Sequence, residues 1–182
     1  KVVRNDFGAK IYYGGENEFF DYDKVVIATH ADQALDIIDN PTSDEEEILK
    51  NFKYRDNSAV IHFDESIMPK NKKAWCSWNS SMSKDNIKKT SVTYWLNQLQ
   101  NLKINRDIFL TINPFRDIPE DKIFKKVKFT HPYYDNAALS NQNNLNKIQN
   151  KKNILFCGSY FGYGFHEDGI KSSIDMLKTL ND

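Results

Sequence analysis

The chain has 182 residues, 40% of them hydrophobic and 27% charged, which is the balance of an ordinary globular protein long enough to bury a core. Lys+Arg and Asp+Glu are equal at 25 each, so no net field draws the chain to nucleic acid or to an anionic membrane. No apolar stretch approaches the ~20 residues of a membrane span, and Cys76 and Cys157, with no second cysteine at metal-ligand spacing, fit a reducing, cytoplasmic setting.

Lys1-Val2-Val3-Arg4 reads as the middle of a strand with no leader before it, so a start inside a larger protein is expected. Short β-like runs at Lys1 to Arg4, Lys10 to Tyr13 and Glu18 to Tyr22, with a turn at Gly14-Gly15, predict an antiparallel meander. Lys24 to Thr29 is continuously apolar in its centre, as in a parallel strand buried on both faces. A short helix is expected over Asp32 to Asp39, stopped by Pro41. A second is expected with Ser43 as N-cap, Glu46 three residues on, and Glu45-Glu46-Glu47 solvated at its positive end.

The middle of the chain is β-rich: Lys53 to Phe63, Ala74 to Asn79, Thr90 to Leu96, Asp107 to Asn113 and Val127 to His131 read as strands. Ala137 to Gln149 has helical spacing despite its Asn/Gln/Lys bias. Asn153 to Gly158 is a second continuously apolar strand, and a closing helix from about Gly169 to Leu180 carries Ile170, Ile174 and Leu177 on one face.

The segment with the clearest chemistry is Phe156 to Ile170. A buried strand, a turn with glycines at 158, 162 and 164, and a helix beginning at Gly169 make an anion or cofactor cradle, because glycine admits close backbone approach and the first helical N–H groups lack intrahelical partners. The competing readings are plain ones. Glu167 and Asp168 can cap the helix, and His166-Glu167-Asp168 are consecutive residues pointing apart, so no metal site is expected. Cys157 reads as a core cysteine, since no G-x-S-x-G and no nearby base accompany it. Trp75 and Trp78 fall on opposite faces of the predicted strand, so one can line a pocket while the other packs inward; for Tyr94 and Trp95 a core position is the simpler reading.

The run Tyr22-Asp23-Lys24-Val25-Val26-Ile27-Ala28-Thr29-His30-Ala31-Asp32-Gln33-Ala34-Leu35 resembles the strand and turn after the meander in bacterial predicted NAD/FAD-binding proteins. These are related to flavin-containing amine oxidases, phytoene desaturases and protoporphyrinogen oxidases. Ala74 to Asn79, Tyr94 to Gln100, Asn113-Pro114, His131-Pro132 and Gly162 to Gly169 are similar to further blocks of that group in the same order.

The resemblance implies an α/β fold: part of a glutathione-reductase-type FAD/NAD(P)-binding domain plus a mixed β-sheet substrate domain. Residues 1–40 would give the meander and return strand, 41–135 the substrate domain, and 136–182 the closing strand and helix. It implies FAD as cofactor, with Gly158 and Ser159 near the ribityl and phosphate groups. Asp168, Gly169 and Ile170 would face the isoalloxazine, and Val2 and Val3 the adenine side. Gly164, Phe165, His166, Glu167 and Thr29 complete the candidate cofactor set, and Trp75, Trp78 and Tyr94 the substrate pocket.

The opening G-x-G-x-x-G and its acidic ribose partner do not occur in these residues. The expected function is hydride transfer from a small apolar substrate to flavin, in partnership with a missing N-terminal Rossmann half. The alternative is a non-catalytic fragment or binding module without flavin. No catalytic base is identifiable, and the uncovered sheet predicts self-association.

Overall fold

The computed structural model describes residues 1–15, 18–83 and 89–180; the rest of the Gly14-Gly15 turn and part of the polar loop before Thr90 lie outside them. Residues 1–55 and 132–182 form one unit, and residues 56–131 form the other.

The first unit opens on the expected meander. Strands β1 (Val2–Arg4), β2 (Ala9–Tyr12) and β3 (Phe19–Tyr22) pair antiparallel in that order, with Val2 and Ala9 turned into the core. Strand β4 (Val25–Ile27) buries Val25 and Ile27 and leads into helix α1 (Ala31–Ile37), which starts one residue ahead of expectation. The Gln33 side chain accepts from the His30 N–H at 3.2 Å and fixes that start.

The second helix, α2 (Ser43–Leu49), corrects the sequence reading at its cap. Thr42, not Ser43, is the N-cap: its hydroxyl accepts from the Glu45 N–H at 3.3 Å, while the Glu45 carboxylate accepts from the Thr42 N–H at 2.8 Å. Nor is Glu45 solvated. It is fully buried and ion-paired with Arg4 of β1, because a carboxylate withdrawn from water needs a cation and donors around it.

The second unit is built on a five-stranded sheet. Strands β5 (Lys53–His62), β6 (Trp78–Met82), β7 (Thr90–Trp95), β8 (Phe109–Ile112), which follows helix α3 (Leu96–Leu99), and β9 (Ile123–Tyr133) lie in the order β6-β7-β8-β5-β9. The expected strand over Ala74 to Asn79 is instead a 3₁₀ turn, Lys72–Ala74, followed by β6. The cause is Trp75, which is buried edge-on against Trp95 and Phe109 and donates its indole N–H to the Pro69 carbonyl at 2.7 Å. Strand β9 runs past His131 through Pro132. It is the edge strand of the sheet, the place where a proline is tolerated.

The return to the first unit begins with α4 (Asn136–Asn141), capped by Asp135 accepting from the Ala138 N–H at 2.9 Å. The predicted helix does not continue to Gln149 as one piece, since Gln142–Ile148 tightens to 3₁₀ and buries Leu145 and Ile148. Strand β10 (Ile154–Phe156) then pairs parallel with β4, Leu155 opposite Val26. The outer edge of β10 is closed by a side chain. The buried Gln149 amide accepts from the Phe156 N–H at 3.0 Å and donates to the Phe156 carbonyl at 2.6 Å, in place of a neighbouring strand.

The last helix, α5 (His166–Lys178), begins three residues before Gly169 and is buried through Ser172 and Met176. The apolar stripe read from the sequence is real but points outward: Ile170, Ile174 and Leu177 are 56%, 54% and 53% exposed. Among the described residues no helix is long and apolar enough to cross a membrane.

The sheet of the second unit buries an unusually polar face, with His62, Ser91, Thr93 and Thr111 all inside. His62 Nδ1 accepts from the Asp64 N–H at 3.1 Å, so Nε2 carries the proton and donates to Thr111 Oγ1 at 2.7 Å; Thr111 and Thr93 share a hydrogen bond of 2.9 Å. Burial lowers the His62 pKa to about 4, against the opposing pull of Asp64. The unfolded chain therefore binds the extra proton first. Between about pH 6.5 and pH 4 stability should fall as pH falls, by on the order of 3 kcal/mol in total. Urea unfolding followed by tryptophan fluorescence at pH 7 and pH 4.5 checks this, and His62→Gln should lack that part of the slope.

Candidate functional site

The bend that follows β10 lies at the exit of β4. The Cys157 N–H donates to the Ile27 carbonyl at 3.2 Å, and Gly158 lies against the Thr29 carbonyl, so Thr29 and Gly158, two sequence-nominated residues, are neighbours. From there a 3₁₀ turn, Ser159–Phe161, carries the chain to Gly162. Ser159 is held by its carbonyl, which accepts from the Tyr134 hydroxyl at 3.3 Å, and Gly164, with φ of 93°, packs against the same Tyr134 ring. Burial and the nearby Asp168 raise the Tyr134 pKa to about 12, so this phenol stays protonated and serves as a donor.

Asp168 organises the bend. One carboxylate oxygen accepts from the N–H groups of Tyr163 and Phe165, each at 2.9 Å, which pins the loop to the first turn of α5. The first intrahelical bond runs from the Gly169 N–H to the Phe165 carbonyl at 3.3 Å, so the N–H groups of His166, Glu167 and Asp168 stand ahead of the ladder, where an anion is best received. The side chains of Phe165, His166, Glu167 and Ile170 are exposed around this end.

The glycines divide into two kinds. At Gly158 a Cβ would lie 2.7 Å from the buried Tyr160 ring, and at Gly162 it would collide with the Asp168 carboxylate, so internal packing accounts for both. At Gly169 the nearest atom to a Cβ would be Ser159 N at 3.9 Å, an ordinary contact. Nothing in the chain itself requires a glycine at the front of this helix.

Beside the bend is a polar cleft of about 350 Å³, lined by Gln142, Asn143, Asn146, Tyr163, Lys171 and Asp175 among others. Of the cleft's lining the sequence nominated only Asp168; its amides were not singled out, because amides in a compositionally biased segment carry no spacing signal. Gln142 is the structural member of the group: its amide donates to the carbonyl of Gly162 and, at 3.4 Å, to that of Tyr160. Val3 is not part of this cluster. It lines a separate depression of about 590 Å³ with Lys1, Tyr12, Tyr13, Gly15 and Asp39.

In the second unit the three nominated aromatics separate. Trp78 and Tyr94 face each other across β6 and β7 with ring centroids 5.0 Å apart, and Trp78 is 64% exposed. Trp75 is buried in the cluster with Met68, Trp95 and Phe109, so it is a packing residue. Among the described residues no three His, Cys, Asp or Glu side chains are grouped to hold a metal ion.

A parallel strand pair, a meander and a closing helix in one unit, with a mixed sheet in the other, define an α/β protein of an architecture found within a set of solved enzymes. A CLA-producing fatty acid isomerase from P. acnes aligns with 98% of this chain at a TM-score of 0.65 and 13% identity, covering 46% of its own length. Cyclohexylamine oxidase from Brevibacterium oxydans aligns with 100% of this chain at 0.59 and 9% identity, covering 48% of its length. A putrescine oxidase with redesigned cofactor binding aligns with 97% at 0.59 and 10% identity, covering 47%. The chain spans less than half of each. The fold of this chain thus recurs as a part of two amine oxidases, the group the sequence resembles. The sequence matches no family model and no curated protein.

The two kinds of glycine give a direct contrast. Gly162→Ala should destabilise by about 1–3 kcal/mol, because it displaces a carboxylate that satisfies two loop amides. Gly169→Ala should be neutral or stabilise by up to about 1 kcal/mol, as for any helical glycine with free space beside it. Urea midpoints of the two variants decide it, and equal midpoints would contradict this account of the bend.

Proposed function

We propose that this chain is the carboxy-terminal part of a flavin-dependent oxidoreductase of the amine oxidase kind, supplying the closing strand and helix of an FAD site together with a sheet that faces an apolar substrate. The observation that carries the reading is Gly169. It stands in the first turn of α5, beside N–H groups that lack intrahelical partners, and no close contact within this chain explains it. FAD, when bound, supplies the two-electron chemistry. The amides of His166, Glu167 and Asp168 would receive the electron-rich edge of its ring, with Asp168 holding the loop in place. Gly158, Ser159 and Thr29 would line the adjoining strand exit.

The uncovered surfaces support the same reading. Strand β4 bonds to β10 through Val25 and Ile27, which directs the backbone groups of Val26 to the other side, and parallel strands are ordinarily covered on both faces. Together with the outward stripe on α5, this leaves room for a further strand and helix supplied by polypeptide outside residues 1–182. Without them the chain should self-associate. Ile170→Glu combined with Ile174→Glu should return it to a monomer, as read by sedimentation velocity.

Flavin uptake tests the function. The chain alone should purify colourless and bind added FAD weakly, since half of the cradle is lacking. Extended by the polypeptide encoded ahead of Lys1, it should purify yellow, and Gly169→Leu in that longer protein should lower FAD affinity roughly tenfold or more with an unchanged circular dichroism spectrum. A longer protein that stays colourless, or one whose flavin is indifferent to Gly169→Leu, would favour the rival reading of a binding module without flavin. That rival draws its support from Gly158 and Gly162, both explained by packing alone.

A further inference from the structure

We propose that the open face of the five-stranded sheet binds a long-chain monocarboxylate, with its tail across the strands and its carboxylate on Arg106. This deepens the reading above by naming the substrate class of the sheet, and its binding step needs no flavin.

The pairing registers align Trp78, Tyr94, Leu110 and Ile61 in one row across β6, β7, β8 and β5, and Ser80, Val92, Ile112 and Ala59 in the next row on the same face. No side chain in either row is charged. The opposite face packs His62, Thr93 and Thr111 together with Val60, Phe109 and Trp95, so the two rows lie on the side turned away from that core. An apolar surface of this kind is an expected place for a ligand.

Direction comes from one end of the row. Two residues beyond Ile61, the Phe63 ring carries the Arg106 guanidinium stacked at 3.5 Å from its centroid. Among the described residues no carboxylate pairs with Arg106; its neighbour Asp107 is taken up by Lys72 at 2.9 Å and by the Trp95 indole at 2.8 Å. A guanidinium held flat on a ring keeps its N–H edge available, and that edge matches a carboxylate in two-point contact. Three strand spacings of about 4.8 Å and two residues at about 3.4 Å give a diagonal of about 16 Å from this cation to Trp78. A short alkyl amine cannot span that distance and would meet a like charge at Arg106. An unbranched acyl chain with an anionic head fits both ends.

The test uses the full chain and oleate below its micellar concentration, with binding read by calorimetry and by quenching of tryptophan fluorescence. Oleate should bind roughly tenfold or more tightly than oleyl alcohol or octanoate. Arg106→Gln should abolish the preference over the alcohol. Trp78→Ser, at an exposed position, should weaken oleate and alcohol alike. Phe63→Leu offers a second route that keeps the charge and removes its platform; it should weaken oleate and leave oleyl alcohol unchanged. Equal binding of oleate and oleyl alcohol by the unaltered chain overturns the proposal. So does oleate binding that ignores all three substitutions, which would be detergent-like adsorption. Flavin content is measured separately, so loss of the oleate preference in a yellow protein sinks this proposal alone. A colourless extended protein that keeps the preference sinks the flavin reading alone.

Discussion

The parallel pairing of Val25–Ile27 with Ile154–Phe156 is the constraint on which the first unit depends. It joins two stretches of chain separated by the whole of the second unit, and it sets the bend after Cys157 at the exit of β4. Such a pair cannot form locally, because parallel strands need a crossover and their ordering entropy is offset only by burial on both sides. Here the burial comes from a shared core in which Ile27, Ala31, Ala34, Ile154, Phe156 and Tyr160 meet. Gln149 adds a directional element. By satisfying Phe156 with a side-chain amide, it ends the sheet on the β10 side, so the sheet can be continued only beside β4.

Much of this was legible from residue order. The two continuous apolar runs announced themselves as covered strands because nothing polar interrupts them, and the meander showed through its short β-like runs and glycine turn. Helix α5 is only half legible in this way. Its periodicity locates an apolar stripe, but a hydrophobic pattern does not say which partner covers it. Ser172 and Ser173, small residues with weak hydrophobic weight, lie on the inner side of the helix, and Ser172 accepts from the Gly158 N–H at 2.9 Å. The stripe is left for something else.

Errors at Ser43 and at Ala74 to Asn79 share a cause. In each case a tertiary contact outweighed a local rule: the Arg4–Glu45 pair draws α2 into the core and makes Thr42 its cap, and the slot between Trp95 and Phe109 draws Trp75 out of any strand. Asn/Gln-rich Gln142 to Gln149 was unreadable for a different reason. The amides of Gln142 and Gln149 act by capping main-chain groups of Phe156, Tyr160 and Gly162, outside the segment itself, and such pairs leave no periodicity behind.

The buried face of the second unit's sheet mixes polar side chains with apolar ones. Polar side chains are normally turned to water and apolar ones to the core, yet here a histidine and two threonines are buried beside Val60, Phe109 and Trp95 and satisfied by one another, while Trp78, Tyr94 and Leu110 lie on the opposite face. The buried chain of hydrogen bonds has a physical use in this setting. A buried network of this type is costly when incomplete, so it holds the strand register firmly. A slip of one residue would turn His62 and both threonines outward and bring Trp78, Tyr94 and Leu110 inward. The polar network thus fixes which side of the sheet presents the row of Trp78, Tyr94, Leu110 and Ile61.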